Sequence, residues 1–293
     1  MRTTLAFVRR NLTIYFRDRA GVFLSLLSAV ILLLLYTLFL GSLQIDSIKE
    51  SLPAASDDDI HAFVNCWVLA GIVMITTFTT SFGAMGVFVD DRVFGRFKDF
   101  RVAPMRRFQL ILGYQGAAFI VSSLMSLVIM VIGVALLMAV HSVDVISWPG
   151  LALAAGYVLL LSAAFSAVSS FVLTFVRSSN AYTAVSTIVG TLLGFLAGAY
   201  LPVGLLSSTV RDVINALPFS PAAMLLREPL AGRARDTLAG GVSQAATSLD
   251  SYYGFTLSVS SFDIGTLFTV VALIVVLILF TTLGALRIGR VLR

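Results

Sequence analysis

From Asp90 to Arg107 the chain reads DDRVFGRFKDFRVAPMRR, with the basic side chains Arg92, Arg96, Lys98, Arg101, Arg106 and Arg107 interleaved with Val93, Phe94, Phe97 and Phe100. Guanidinium groups beside aromatic rings can hold phosphate, nucleic acid, lipid headgroups or a groove on another protein. The flanks narrow that choice. Residues 61–89 carry no ionisable side chain except His61 and Cys66, and residues 108–140 carry no charge. Short Lys/Arg-rich turns between apolar segments stay cytoplasmic, so topology accounts for the charges and no nucleic-acid partner is expected. The apolar spacing predicts a short helix with one aromatic and one basic face. Gly95 breaks its first turn, and Pro104 ends it by pushing the preceding residue out of α geometry. The rings then need cover, from lipid headgroups or from a protein partner.

Other chemistry is scarce. The chain lacks a G-x-x-x-x-G-K-[ST] loop, and its lysines are Lys49 and Lys98 alone, so it holds no Walker-type nucleotide site. No Asp, Glu, Lys or Arg falls in the middle of an apolar run, where each would cost roughly 2.5–3.5 kcal/mol on insertion scales. That argues against ion-coupled transport and against an intramembrane hydrolase. His61 and His141 are remote from each other, and the single cysteine, Cys66, permits no intrachain disulfide. Neither a metal site nor a resident cofactor is expected, and the chain reads as a non-enzyme.

The elements that position the island are membrane helices. Mean hydropathy is +0.99 and 12% of residues are charged, about half the usual share of roughly 25%. Apolar runs near 21–43, 62–88, 110–138, 151–175, 181–200 and 264–285 approach or exceed the length that spans a bilayer as a helix. They lack period-2 alternation, so an all-α membrane protein of six spans is expected, not a barrel. Arg2, Arg9, Arg10, Arg17 and Arg19 precede the first run, and Arg177, Arg287, Arg290 and Arg293 fall on the same side as the island. Both termini are therefore expected in the cytoplasm, with Asp46, Glu50, Asp57, Asp58 and Asp59 outside. The first run is too long for a secretory-signal core, so no cleaved leader is expected. Residues 1–20 place Leu5, Val8, Leu12 and Tyr15 on one stripe, which reads either as an interfacial helix or as a basic topogenic flank.

The segment G95-R-F-K-D-F-R-V-A-P104, followed by M-R-R-F-Q-L-I-L-G113-Y, resembles the first cytoplasmic loop of ATP-binding-cassette permeases of the ABC type 2 class. Residues 9–19, R-R-N-L-T-I-Y-F-R-D-R, resemble the amphipathic connecting helix of that family. Residues 198–230 resemble its glycine and proline exit followed by short helices in the outer leaflet. The resemblance implies a coupling helix over 90–107 that docks into a separate ATPase subunit, with Gly95, Phe97, Asp99, Phe100 and Pro104 at the contact. Asp90, Asp91 and Arg96 stand where the family often has Glu and Thr. The external segment would run over 201–263, and its part 231–262 has no family counterpart; it reads as a small cap or a mobile loop. ATP and Mg²⁺ would belong to the ATPase partner, and a second copy or a paralogue would complete the membrane domain.

Two spans carry packing signals. Gly190, Gly194 and Gly198 form a doubled G-x-x-x-G in the fifth, and Thr76, Thr77, Thr79, Thr80, Ser81, Gly83 and Gly86 make the second rich in small polar residues. They read either as helix packing or as walls of a substrate path, with Phe78, Thr79, Phe82 and Phe195 as path residues. The expected function is the permease of an exporter for a hydrophobic or amphipathic small molecule, lipid or peptide, in a bacterial plasma membrane. The alternative is an ATP-independent facilitator or scaffold, which co-purification with a Walker-containing subunit would exclude. Reporter fusions after Arg293 and within 90–107 should read cytoplasmic and one at Asp58 external; the same side for Asp58 and Arg101 would break the six-span topology.

Overall fold

The computed structural model describes residues 2–36, 41–53, 55–102, 107–140 and 146–291. Pro104, Arg106 and His141 lie outside them. Helix α1 (Arg2–Arg17) meets α2 (Arg19–Leu35) at a 75° bend. Asp18 makes that corner, its carboxylate accepting from the Gly21 N–H at 3.0 Å as the N-cap of α2. A helix not foreseen from the sequence, α3 (Gly41–Ser51), follows, with Ile45 and Ile48 buried.

Helices α4 (Asp57–Ala84) and α5 (Gly86–Val93) form one nearly continuous rod broken at Met85. Its partners are α7 (Arg107–Val140) and α8 (Trp148–Leu173), reached after the short α6 (Phe97–Val102). Almost every side chain of α4 from Ile60 to Phe82 is buried, so this is the central helix. Hydroxyls knit its neighbours together. Ser122 of α7 donates to the Thr77 carbonyl at 2.7 Å and pairs with Ser162 of α8 at 2.9 Å. Gln115 of α7 and Thr281 of α13 (Thr266–Val291) hydrogen-bond at 2.9 Å. Such bonds give helices a register where apolar packing is weakly directional.

Four helical segments, 57–93, 108–140, 148–173 and 266–288, are long and apolar enough to cross a membrane, or five if the bent α1–α2 pair counts as one. The remaining apolar run folds as α9 (Ser179–Leu196), whose Asn180, Thr183, Ser186, Thr187 and Thr191 dilute its apolar character. The chain is thus an all-α, multi-pass membrane protein in its main body.

At the end opposite the basic island, the segment expected as short helices and a cap or mobile loop is ordered. After a 3₁₀ turn, α10 (Ser208–Ala216) leads into α11 (Phe219–Ala239), a long helix with Pro229 inside it. Helix α12 (Ser243–Tyr253) and an antiparallel hairpin of β1 (Leu257–Val259) and β2 (Phe262–Ile264) complete it. Arg227 of α11, assigned by sequence to an external loop, is 0% exposed. Its guanidinium donates to the carbonyls of Ala197 (3.0 Å), Gly198 (2.8 Å) and Gly254 (2.8 Å), at the C-terminal ends of α9 and α12. Helix C-termini carry partial negative charge, so these carbonyls compensate a cation that has no carboxylate. Trp67 of α4 closes the same corner by donating to the Tyr253 carbonyl at 2.9 Å. Arg227→Ala should lower the melting temperature of the purified protein, since each buried acceptor left unsatisfied costs roughly 1–3 kcal/mol; an unchanged melt would remove this clamp from the account.

Candidate functional site

The basic end is built around Asp91, at the last turn of α5. Its carboxylate is 0% exposed and takes three partners from three different elements. Arg10 of α1 binds it through two nitrogens at 2.6 and 2.7 Å, Tyr114 of α7 donates at 2.5 Å, and Arg96 of the following turn reaches it at 3.0 Å. A buried charge is tolerated only when paired and hydrogen-bonded, and the two-nitrogen Arg–carboxylate contact is among the stronger arrangements.

Rings pack beneath this network. Phe7 of α1 stands edge-on to Tyr114 (centroids 4.9 Å apart) and to Phe100 (5.2 Å), while Phe97 meets Phe88 edge-on at 5.3 Å. Arg10 sits over both Phe7 and Phe100, 5.5 Å from each centroid. Gly113 permits the approach, because a Cβ there would lie 2.4 Å from the Phe7 ring. The inward face of α1 therefore runs through Phe7, Val8 and Asn11, while Leu5 of the expected stripe points outward.

This packing changes the reading of the island. The expected single helix is two pieces, α5 and α6, joined by a turn in which Gly95 takes φ +74°. That left-handed conformation suits glycine because it has no Cβ to clash. The turn divides the aromatic face. Phe97 is 8% exposed and Phe100 is half-buried, covered by Phe88 of α5 and Phe7 of α1, whereas Phe94 is 69% exposed. The rings named from sequence are thus interior, and the outward surface is Val93, Phe94, Arg96 and Lys98. Arg96 lies 5.4 Å over the Phe94 ring. The backbone of Asp99 lies in α6.

The residues proposed for a path separate in the same way. Phe78 is buried edge-on against Phe165 and Phe219, both at 5.2 Å, and Phe82 stacks on Tyr182 at 5.9 Å. Thr79 is half-buried and Phe195 exposed. The doubled glycine motif does not persist as a helix face. Gly198 lies beyond α9 at φ +60°, Gly194 is covered by the Tyr200 ring of the same chain, and Gly190 has open space before it. An exposed line on α9 that the sequence reading missed is Thr183, Thr187 and Thr191, spaced by four residues and continued by Phe195. Each hydroxyl donates to the carbonyl four residues earlier, at 2.9–3.1 Å.

Residues 2–230 match the family model described as ABC-2 type transporter, and the chain belongs to that family. The family's membrane domain is a transporter permease, distinct from a catalytic nucleotide-binding domain. No curated protein matches the chain. Asp91→Asn would keep the shape but strip the charge that holds Arg10 and Arg96. Trypsin should then cut at Arg9, Arg10 and Arg17 faster than in the parent protein; equal cleavage rates would mean that α1 is held by ring packing alone.

Proposed function

We propose that this chain is the membrane-spanning subunit of an ATP-driven exporter. Two copies, or this chain and a paralogue, enclose the path, and separate ATP-binding-cassette ATPase subunits bind ATP and Mg²⁺. The observation that carries this reading is the turn at Gly95, which holds an exposed Phe94 under the Arg96 guanidinium, with exposed Lys98 following, above a packed base. An aromatic anchor with basic neighbours is the kind of residue that dominates protein interfaces. Because Phe100 of α6 packs on Phe7 of α1, and Arg96 of the turn shares Asp91 with Tyr114 of α7, a push on Phe94 reaches the helix bundle as motion of a unit.

Six crossings fit this reading. The contacts of α5 with the α8 terminus and of α4 with the start of α9 lie at the basic end, while Tyr36–Tyr200 and Trp67–Tyr253 lie at the other. With α2 and α9 counted as spans, both chain ends fall on the basic side. The plasma membrane of a bacterium is the proposed location. Thr79 and Gly83 are places where the buried α4 reaches the surface, and Thr183, Thr187, Thr191 and Phe195 form an exposed line on α9. Facing a second copy, these residues give a wall of threonines beside the Phe195 ring, a mixture of polar and apolar groups suited to amphipathic small molecules. Phe78 and Phe82 then back the wall from behind.

Phe94→Ala should reduce recovery of the ATPase with the tagged permease, and transport with it, while leaving the melting temperature unchanged. Phe97→Ala should instead lower stability, since truncating a buried Phe costs about 3–5 kcal/mol. Full ATPase recovery and transport in the Phe94 variant would refute this docking surface.

A further inference from the structure

A second arginine group gathers at the basic end, apart from the Asp91 network, around the turn that joins α8 to α9. Arg92 of α5 donates to the carbonyls of Thr174 at 3.0 Å and Val176 at 2.8 Å. Between those two residues, Phe175 carries the Arg287 guanidinium of α13 on its ring face, 3.7 Å from the centroid. Arg177, exposed, is the next residue in the chain. Three elements thus bring three guanidiniums to one short turn.

Their charges are only partly balanced from within: the carbonyls at the C-terminal end of α8 take up Arg92, as those of α9 and α12 take up Arg227, and leave Arg177 and Arg287 without such partners. Among the described residues none of the three forms an ion pair with a carboxylate. Asp91 is committed to Arg10, Arg96 and Tyr114, and the field of Asp90 falls on Asp91, Arg96 and Tyr182. Arg92 instead feels the positive charge of both Arg177 and Arg287. The Arg287 Nε is buried with no hydrogen-bond partner. Helix α9 begins directly after Arg177, capped by the Ser178 side chain at the Ala181 N–H, so its positive dipole end adds to the same field. The positive-inside tendency explains basic residues near this end, but not three converging on a turn without an acid. The turn is left with an excess of positive charge that an anion would neutralise.

Apolar surface beside the turn identifies which anion. Phe175 is 50% exposed and Leu286 is 73% exposed, flanking the arginines at the ends of two long apolar helices. We propose that Arg92, Arg177 and Arg287 bind the phosphodiester headgroup of an anionic phospholipid, whose acyl chains lie along Phe175 and Leu286. The headgroup would tie α5, α8 and α13 together at the end that carries the coupling turn.

The test uses full-length protein incubated in mixed micelles of equimolar phosphatidylglycerol and phosphatidylcholine, washed, and analysed for retained lipid by mass spectrometry. Phosphatidylglycerol should be enriched, and Arg177→Gln and Arg287→Gln should each lower that enrichment about fivefold, the effect of one basic residue near an anionic surface. Arg177 is exposed, so its variant should melt like the parent, and Arg177→Lys should restore much of the retention. Arg211→Gln, at the opposite end, should retain lipid normally. Equal retention of the two lipids by the parent protein, or unchanged enrichment in both glutamine variants, would overturn the proposal. So would a thermal upshift from inorganic phosphate alone as large as that from phosphatidylglycerol, which would make this a free-phosphate site. Loss of ATPase recovery in Arg177→Gln with lipid enrichment intact would also overturn it, in favour of a partner surface.

Discussion

A fully buried carboxylate organises the basic end of this permease. Asp91 cannot be ionised in the interior unless its partners stay in place, and those partners come from α1, the Gly95 turn and α7. Losing one leaves a buried charge short of compensation, which costs more than the pair contributes relative to a well-packed apolar replacement. The network therefore acts chiefly as a constraint on geometry. It fixes how α1 lies against the bundle and the position from which the turn projects Phe94.

The opposite end is held on the same principle with the sign reversed. Arg227 is a buried cation whose compensation comes from the carbonyls that end α9 and α12. Between these two polar locks lies an apolar bundle joined by serine, threonine and glutamine hydrogen bonds.

The apolar runs were legible in the sequence because membrane helices announce themselves by length and hydropathy alone. The Gly95 turn was legible too, since glycine there has a conformational reason. The sidedness of the rings was not. Phe94, Phe97 and Phe100 recur at nearly helical spacing, and only the φ of +74° at Gly95 sends the first outward and the others inward. Nor did the sequence reveal that Phe7 covers them, because that depends on the space at Gly113, over a hundred residues away. The burial of Arg227 carried no sequence signal, since its partners are backbone carbonyls. The threonine line on α9 was overshadowed by the glycines beside it, whose spacing suggested packing that Tyr200 and the end of the helix at Leu196 prevent.

The central claim is that α1, the Gly95 turn and the start of α7 move as one body when the ATPase partner acts. Spin labels on cysteines replacing the exposed Arg9 and Lys98 would test it directly, since the native Cys66 is buried. The account predicts the same distance between the two labels within one chain in the nucleotide-free and ATP-trapped complex, while the separation of Lys98 labels between two chains changes. A change in the distance within the chain on ATP binding would contradict it.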